Sequence, residues 1–237
     1  MAGIFNRAYN QANRILNGSG LSSVVYRQGG GEVSSMSSLP VVYKDEGGFL
    51  DTIEDYIFVT NIIPKDICKS LIDECNRKEW KKHEWYSNHT DIRASENTKE
   101  LDVMPCTKEQ QNKITPYLAK ALEEYQIKYS WPGEKTQPPW LTKFSPIRFN
   151  KYEIGNTMRI HYDNIHSIFD GKMKGIPIIS IVGNLNEDYE GSEFMLRDKE
   201  IKLKTGDILL FPSGIVYPHT VKETTKGVRY SFVSWAF

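Results

Sequence analysis

The chain has 237 residues, of which 39% are hydrophobic and 12% aromatic, so it is long enough to bury a sizeable core. Thirty basic residues balance thirty acidic ones, which excludes a strong global attraction to nucleic acid or to an anionic membrane. No apolar run approaches the ~18 residues of a membrane-spanning helix, and the start of the chain lacks the apolar core of a signal peptide.

The three cysteines indicate a redox compartment. Cys68, Cys75 and Cys106 are odd in number and lack the spacing of a zinc site, which favours a reducing environment. We therefore expect a cytoplasmic protein, with no membrane partner and no nucleic-acid partner.

Residues 1–48 are predicted to form an N-terminal extension or linker. Residues 5–17 place apolar side chains at near-helical spacing, and the glycines that follow would end that helix. A run of three glycines at 29–31 and a serine-rich stretch then follow, as in linkers. Two interpretations stay open: a flexible segment that packs partly on the next domain, or a segment that docks to a partner.

A strand and two helices are predicted next. The run YIFVTNII (56–63) has the composition of a strand, and residues 64–80 form a helix with Pro64 near its start. Residues 81–105 have no clear period, so we expect loops with room for one strand. A second helix is predicted from about Lys108 to Tyr129, and prolines within 130–139 end it.

Eight short strands are predicted in the remainder: 142–152, 156–163, 176–185, 192–196, 200–204, 207–213, 217–223 and 228–237. Turns are expected at 187–191 and 205–207. The predicted fold is therefore mainly β with flanking helices. It is a double-stranded β-helix, that is a cupin-like jelly roll of two sheets, with the two helices supporting one sheet.

Three residues in this β-region form a candidate metal site. Alternate residues of a strand face the same side, so His161 and Asp163 can reach one point in space. An imidazole from a distant strand, His219, would complete two histidines and one carboxylate on one side of an ion, the arrangement suited to iron(II) with open coordination positions. The competing interpretation for His161 and Asp163 is a surface pair on an alternating strand. For His219 it is a histidine in the core.

Four segments carry a resemblance to a known family: FNKYEIGNTMRIHYDN (149–164), ISIVGNLNEDYEGSEFML (179–196), IKLKTGDILLFPSGIVYPHTV (201–221) and KGVRYSFVSWAF (226–237). In order and spacing they resemble the iron(II)- and 2-oxoglutarate-dependent dioxygenases, specifically the prolyl-4-hydroxylase-like branch that includes PKHD-type hydroxylases. The resemblance is close over 149–237 and loose before it. It implies a dioxygenase domain at 49–237 with a catalytic core at 140–237.

The resemblance also implies the ligands and the residues that hold them. Iron(II), 2-oxoglutarate and dioxygen are the expected cofactors, with ascorbate as a further candidate. Arg229 is expected to bind the distal carboxylate of 2-oxoglutarate through its planar fork, with Ser231 beside it on the same face. Tyr152 matches a tyrosine that commonly bonds the co-substrate. Asn184 stands where relatives often have tyrosine, so its role is left open.

The remaining candidates divide into non-ligands, packing residues and open cases. The other histidines are expected not to bind the metal: His83, His89 and His166. Phe232 and Trp235 are expected in the core. Three aromatic residues at or after the end of the first predicted helix either form a wall for the substrate or pack internally: Trp80, Trp85 and Tyr86.

The resemblance implies hydroxylation of an unactivated C–H bond, with a peptidyl residue such as proline as the leading substrate and a protein or peptide as partner. Hydroxylation of a free amino acid or small metabolite is the alternative within the same class. From another class, a structural or assembly-associated module with a retained oxygenase fold is considered, as is a nucleic-acid oxidase. The intact triad disfavours the former, and the chain has no further arginine after Arg229, which disfavours the latter.

Overall fold

The structure is a computed structural model that describes residues 52–87, 92–94, 99–129, 141, 143–163 and 177–237. Within the strands β3 and β4 defined below, the side chains of 86, 87 and 92–94 are not described. The predicted extension 1–48 with its helix at 5–17, the proline stretch 130–139, His89 and His166 lie outside the described residues, so the proposed domain boundary stays a prediction. No helix of the described ranges has the length and apolar character needed to cross a membrane.

Two helices flank the β-structure. α1 (Lys65–Cys75) follows Pro64 as predicted, but it ends five residues before the predicted position. α2 (Lys108–Tyr129) has the predicted bounds. Thr107 and Gln110 cap its first turn reciprocally: the Thr107 backbone N–H donates to Gln110 Oε1 (3.0 Å), and the Gln110 N–H donates to Thr107 Oγ1 (3.3 Å).

Seven antiparallel strands form the larger sheet. Numbered in chain order, they lie in the spatial order β1 (Phe58–Asn61), β12 (Asp207–Pro212), β8 (Ile179–Asn184), β15 (Arg229–Ala236), β6 (Arg148–Tyr152), β5 (Asp102–Pro105) and β2 (Lys81–Lys82). Every residue of β8 is buried, so both faces of the sheet are covered at its centre.

The smaller sheet has four strands, in the order β11 (Lys199–Ile201), β10 (Phe194–Leu196), β13 (His219–Val221) and β7 (Met158–His161). Two ribbons complete the described strands: β9 (Tyr189–Gly191) with β14 (Thr224–Gly227), and β3 (Trp85–Ser87) with β4 (Ile92–Ala94).

Two strand predictions were wrong. The segment 81–105 contains four strands, β2 to β5, because β5 and β2 extend the larger sheet beyond β6 through long-range pairing. The turn predicted at 187–191 contains β9, whose polar residues pair with the equally polar β14. Neither segment alternates apolar and polar residues, and this alternation is the pattern by which a half-buried strand is predicted from sequence.

Two apolar layers form the core. One lies between the larger sheet and the helices, where Leu71 of α1, Leu118 of α2 and Phe232 of β15 are buried. The other lies between the sheets and contains Tyr152, Phe194 and Phe211, among others. Because the second layer is a sandwich interior, polar side chains that point into it form an enclosed site.

We predict that the contact between Gly183 and Phe232 across β8 and β15 stabilises the larger sheet. A Cβ atom at residue 183 would lie 2.0 Å from the ring of Phe232, its partner on β15, so Gly183→Ala should lower the free energy of unfolding by about 1–3 kcal/mol through overpacking. Gly214→Ala is the control, since a Cβ there meets nothing within 4 Å. Urea denaturation measures both, and equal stability of the two variants would contradict the prediction.

Candidate metal centre and anion pocket

The three predicted metal ligands lie together at the end of the smaller sheet. β13 pairs with β7 so that His219 and His161 are direct Cα partners, and their ring centroids are 4.2 Å apart. Asp163 lies between them, with Oδ1 3.7 Å from Nε2 of His161 and Oδ2 3.7 Å from Nε2 of His219. One ligand atom from each residue lies within 4.8 Å of the others, so a single ion can contact all three.

Backbone carbonyls fix the tautomer of both imidazoles. Nδ1 of His161 donates to the carbonyl oxygen of Arg159 (2.9 Å), and Nδ1 of His219 donates to that of Tyr217 (3.2 Å). Because a carbonyl only accepts, each Nδ1 carries a proton, so in the neutral ring the lone pair lies on Nε2. Both Nε2 atoms face Asp163, and this is the protonation state that a metal requires.

Ser180 holds the carboxylate of Asp163 and is itself contacted by Ser213. Ser180 Oγ donates to Asp163 Oδ2 at 2.5 Å and lies 2.9 Å from Ser213 Oγ. Asp163 is 8% exposed and each serine 1%. A carboxylate held this way keeps its orientation toward the histidines, as outer-shell hydrogen bonds do around metal ligands.

Burial keeps His161 neutral. Desolvation, and secondarily the neighbouring His219, lower the pKa of His161 to about 4, although Asp163 opposes the shift. At neutral pH the metal-free protein therefore presents an uncharged imidazole to an incoming cation.

Arg229 lies at the start of β15 with 1% of its surface exposed. Its Nε donates to Oδ1 of Asn184 (3.2 Å), and its guanidinium lies 5.3 Å from the ring centroid of Tyr152. Its Nη1 is buried and has no hydrogen-bond partner among the described residues. Because a buried cationic N–H group without an acceptor is costly, the position fits a bound carboxylate. Asn184, whose role was open, thus orients the guanidinium.

Ser231 and Tyr152 line the same cavity as the triad and Arg229. Ser231 is 1% exposed and lies two residues after Arg229 on the same face of β15. Tyr152 is the Cα partner of Arg229, and its hydroxyl lies 3.7 Å from the sulfur of Met158, a weak acceptor. The structure therefore brings all six predicted site residues into one cavity.

Trp85 lies beside a metal-ligand candidate. Its ring meets that of His161 edge-on at 5.2 Å between centroids, and its Nε1 donates to Glu100 Oε1 at 2.9 Å. Trp80 instead packs near Tyr230, with ring centroids 6.2 Å apart. Of the three candidates for an aromatic wall, Trp85 borders the site and Trp80 packs away from it. The side chain of residue 86 is not described.

His83 is a buried histidine outside the triad. Its Nδ1 lies 3.6 Å from Glu100 Oε2, beyond hydrogen-bond distance, and neither atom has a partner among the described residues. Burial, assisted by the charge of Arg148, lowers the pKa of His83 to about 3. His83 was predicted not to bind the metal. The cluster of possible metal ligands among the described residues consists of His161, Asp163 and His219.

Trp235 and Arg148 are among the lining residues that were not predicted from the sequence. Trp235 was expected in the core with Phe232; Phe232 is fully buried there, but Trp235 faces the cavity. Arg148 was not predicted as a site residue, yet it shares a face of β6 with Tyr152. Burial lowers the pKa of Arg148, and Tyr152 and Asp163 oppose this shift. The spacing of two residues from Arg148 to Asn150 and again to Tyr152 is the signal that could have revealed it.

Comparison with known proteins identifies relatives. The model of the 2OG-Fe(II) oxygenase superfamily matches residues 147–237. A PKHD-type hydroxylase of Aliarcobacter butzleri is 30% identical over 185 residues, which cover 73% of this chain and 76% of that protein. A PKHD-type hydroxylase of Delftia acidovorans is 31% identical over 100 residues, which cover 39% of this chain and 43% of that protein. The chain thus matches less than half of the second relative's length.

Solved structures show the fold. A Pseudomonas putida prolyl-4-hydroxylase aligns with a TM-score of 0.53 and 20% identity, over 76% of this chain and 91% of that one. A Trichoplax adhaerens prolyl hydroxylase, in complex with a hypoxia inducible factor peptide fragment, aligns with a TM-score of 0.56 and 15% identity, over 76% and 83%. The predicted jelly roll is confirmed. So are the dioxygenase class and the expected cofactors, iron(II), 2-oxoglutarate and dioxygen.

Replacing Asp163 should strongly weaken metal binding without unfolding the protein. Asp163→Asn removes the anionic member of the triad but keeps its shape, so we expect at least a ~100-fold loss of Mn(II) affinity, on the order of 3 kcal/mol for a charged contact. Isothermal titration calorimetry measures it. Glu190→Gln, an exposed carboxylate paired with Lys226, is the control and should bind metal as the wild type does. Undiminished binding by Asp163→Asn would contradict the assignment.

The metal-free protein should lose stability on mild acidification because of His83. The folded-state pKa of about 3 lies below the ordinary value of 6.5, so the unfolded state takes up the proton first as the pH falls. The stabilisation from a neutral His83 is thus present above pH ~6.5 and declines toward pH ~3, by about 2 kcal/mol between pH 7 and 5.

We expect His83→Phe to flatten this dependence by about that amount, because phenylalanine has no proton to bind. Chemical denaturation at pH 7 and pH 5 measures it. An identical pH dependence in the variant and the wild type would show that His83 is not buried in its neutral form.

Proposed function

We propose a function for this chain from its family: it belongs to the 2OG-Fe(II) oxygenase superfamily and, within it, to the PKHD-type hydroxylases. We infer that it hydroxylates an unactivated C–H bond of a peptidyl residue, with proline as the leading candidate. The observation that carries this inference is that His161, Asp163 and His219 line one cavity with Arg229, whose buried Nη1 has no partner among the described residues.

In this proposal His161, Asp163 and His219 hold iron(II), and Arg229 holds the distal carboxylate of 2-oxoglutarate. When bound, iron(II) with 2-oxoglutarate and dioxygen supplies the chemistry that converts a C–H bond to C–OH while 2-oxoglutarate becomes succinate and carbon dioxide. The chain supplies the geometry. Asn184 holds Arg229 toward the co-substrate, and Ser180 fixes the carboxylate of Asp163.

Apolar side chains exclude water from the space between the ligands and Arg229. Val182 of β8, Phe194 of β10 and Val221 of β13 are buried and line the cavity. A dry cavity strengthens the contact between a guanidinium and a carboxylate, since charge interactions are weakly screened there. It also limits loss of the oxidising equivalent to solvent.

An exposed apolar edge next to the metal centre supports a protein or peptide substrate. Ile178, Ile215 and Val216 are 52%, 67% and 47% exposed. The backbone N–H of Ser213 donates to the carbonyl of Ile178 (3.0 Å), and Ile215 and Val216 follow Ser213 in the chain. Ser213 contacts Ser180, which holds Asp163. Exposed apolar residues grouped at a site are characteristic of surfaces that bind other proteins.

The substrate class is tested by mass spectrometry. The protein is incubated with iron(II), 2-oxoglutarate and ascorbate, and with proline-rich peptides, free amino acids or oligonucleotides in parallel. We expect succinate formation and the mass gain of one oxygen atom on a peptide. Hydroxylation of free amino acids with every peptide unchanged would overturn the peptidyl proposal but retain the hydroxylase, whereas no succinate with any substrate would favour a non-catalytic module.

Arg229→Gln should raise the concentration of 2-oxoglutarate needed for half-maximal succinate formation. Loss of charge-assisted hydrogen bonds of about 1.5–3 kcal/mol predicts a ~10- to ~100-fold increase. The control is Lys226→Gln, because Lys226 is exposed and paired with Glu190 at 2.7 Å. An unchanged requirement in Arg229→Gln, or an increase in the control, would assign this role to another cation.

A further inference from the structure

Arg148 is a second guanidinium in the cavity. It is the first residue of β6, and Asn150 and Tyr152 follow it on the same face. Tyr152 pairs with Arg229 and Arg148 pairs with Val233, so the two arginines attach to the sheet roughly 13 Å apart along the strands. The cavity therefore has a cationic group toward each end, and only Arg229 has a role in co-substrate binding.

Most hydrogen-bond donors of Arg148 have no acceptor in the described part of the chain. Its Nε donates to Asn150 Oδ1 (3.1 Å), and the terminal nitrogens have no described acceptor. Trp235 lies two residues beyond Val233 on the same wall, and its Nε1 is buried without a partner among the described residues. Arg148 and Trp235 thus line the same cavity, and each has N–H groups that no described protein acceptor pairs.

The charge balance of the cavity indicates what this position accepts. Among the described lining residues Asp163 is the one carboxylate, and the metal centre uses it. A divalent ion and two guanidiniums are therefore opposed by a single acidic group. The two carboxylates of 2-oxoglutarate do not offset this excess in full, so the occupied cavity still attracts an anion.

We propose that Arg148 binds a carboxylate of the primary substrate. The planar guanidinium can hold a carboxylate through two parallel hydrogen bonds, which would place the bound molecule beside the metal centre in one orientation. This inference rests on the proposed hydroxylase function and narrows its substrates to molecules with a carboxylate near the oxidised C–H bond. Such a carboxylate occurs in free amino acids and in peptides with an acidic side chain or a free C-terminus at that position.

Matched acids and amides test the proposal by binding. The full-length protein is loaded with Mn(II) and saturated with N-oxalylglycine, an unreactive mimic of 2-oxoglutarate. Calorimetric titrations then compare each of the twenty free amino acids with its carboxamide, and short proline peptides that contain glutamate with the same peptides that contain glutamine. We expect at least one acid to bind ~10-fold or more tightly than its amide, as a charge-assisted contact predicts.

Three variants assign that preference to Arg148. Arg148→Gln should remove it, and Arg148→Lys should retain part of it, because lysine keeps the charge without the fork. Lys151→Gln is the matched control: it removes a positive charge from β6, but Lys151 pairs with Asp102 and Glu153 away from the cavity. The preference of Lys151→Gln should equal that of the wild type.

Three outcomes would overturn the proposal: no acid preferred over its amide by the wild type, an unchanged preference in Arg148→Gln, or a ~10-fold or greater loss of N-oxalylglycine affinity in Arg148→Gln. The last would assign Arg148 to the co-substrate. If the acid binds more tightly than its amide only among free amino acids, the carboxylate belongs to a free amino acid. If it does so only among the peptides, the carboxylate belongs to a peptide. If the wild type bound no N-oxalylglycine, the proposed function would fail. The acid and amide titrations with Mn(II) alone would still report on Arg148.

Discussion

The register between β13 and β7 determines the metal centre. It sets His219 directly opposite His161, and the two lone pairs then converge on Asp163, two residues after the end of β7. A slip of one residue would turn every side chain of one strand to the other face and separate the ligands. The pairing is irregular immediately beside this pair, since a register shift separates it from the next pair, Val221 and Met158.

Enclosure between the sheets explains the electrostatics of the site. Groups that water would otherwise solvate are enclosed there, so His161 and His83 are held neutral, and terminal nitrogens of both guanidiniums lack acceptors among the described residues. Each uncompensated group raises the free energy of the empty protein, and a bound cation or anion lowers it again. The same burial that stabilises the sandwich therefore prepares the cavity for a metal and for carboxylates.

Structure was predicted correctly from the sequence alone where the sequence pattern is local. The bounds of α2 follow from its apolar stripe and capping pair, and the triad follows from strand alternation and motif spacing. The sequence was insufficient where contacts are distant in the chain. β9 and β14 pair through polar residues, and Trp85 reaches Glu100 and His161 from a segment without period. Arg148 was missed because its role depends on the neighbour that β15 brings to it.

The most direct test of this account is a crystal structure of the protein with Mn(II) and N-oxalylglycine. We predict one anomalous-scattering peak, at a Mn(II) ion bound by Nε2 of His161, Nε2 of His219 and a carboxylate oxygen of Asp163. The distal carboxylate of N-oxalylglycine should bind Arg229. A Mn(II) peak at another position, or N-oxalylglycine bound without contact to Arg229, would contradict this account.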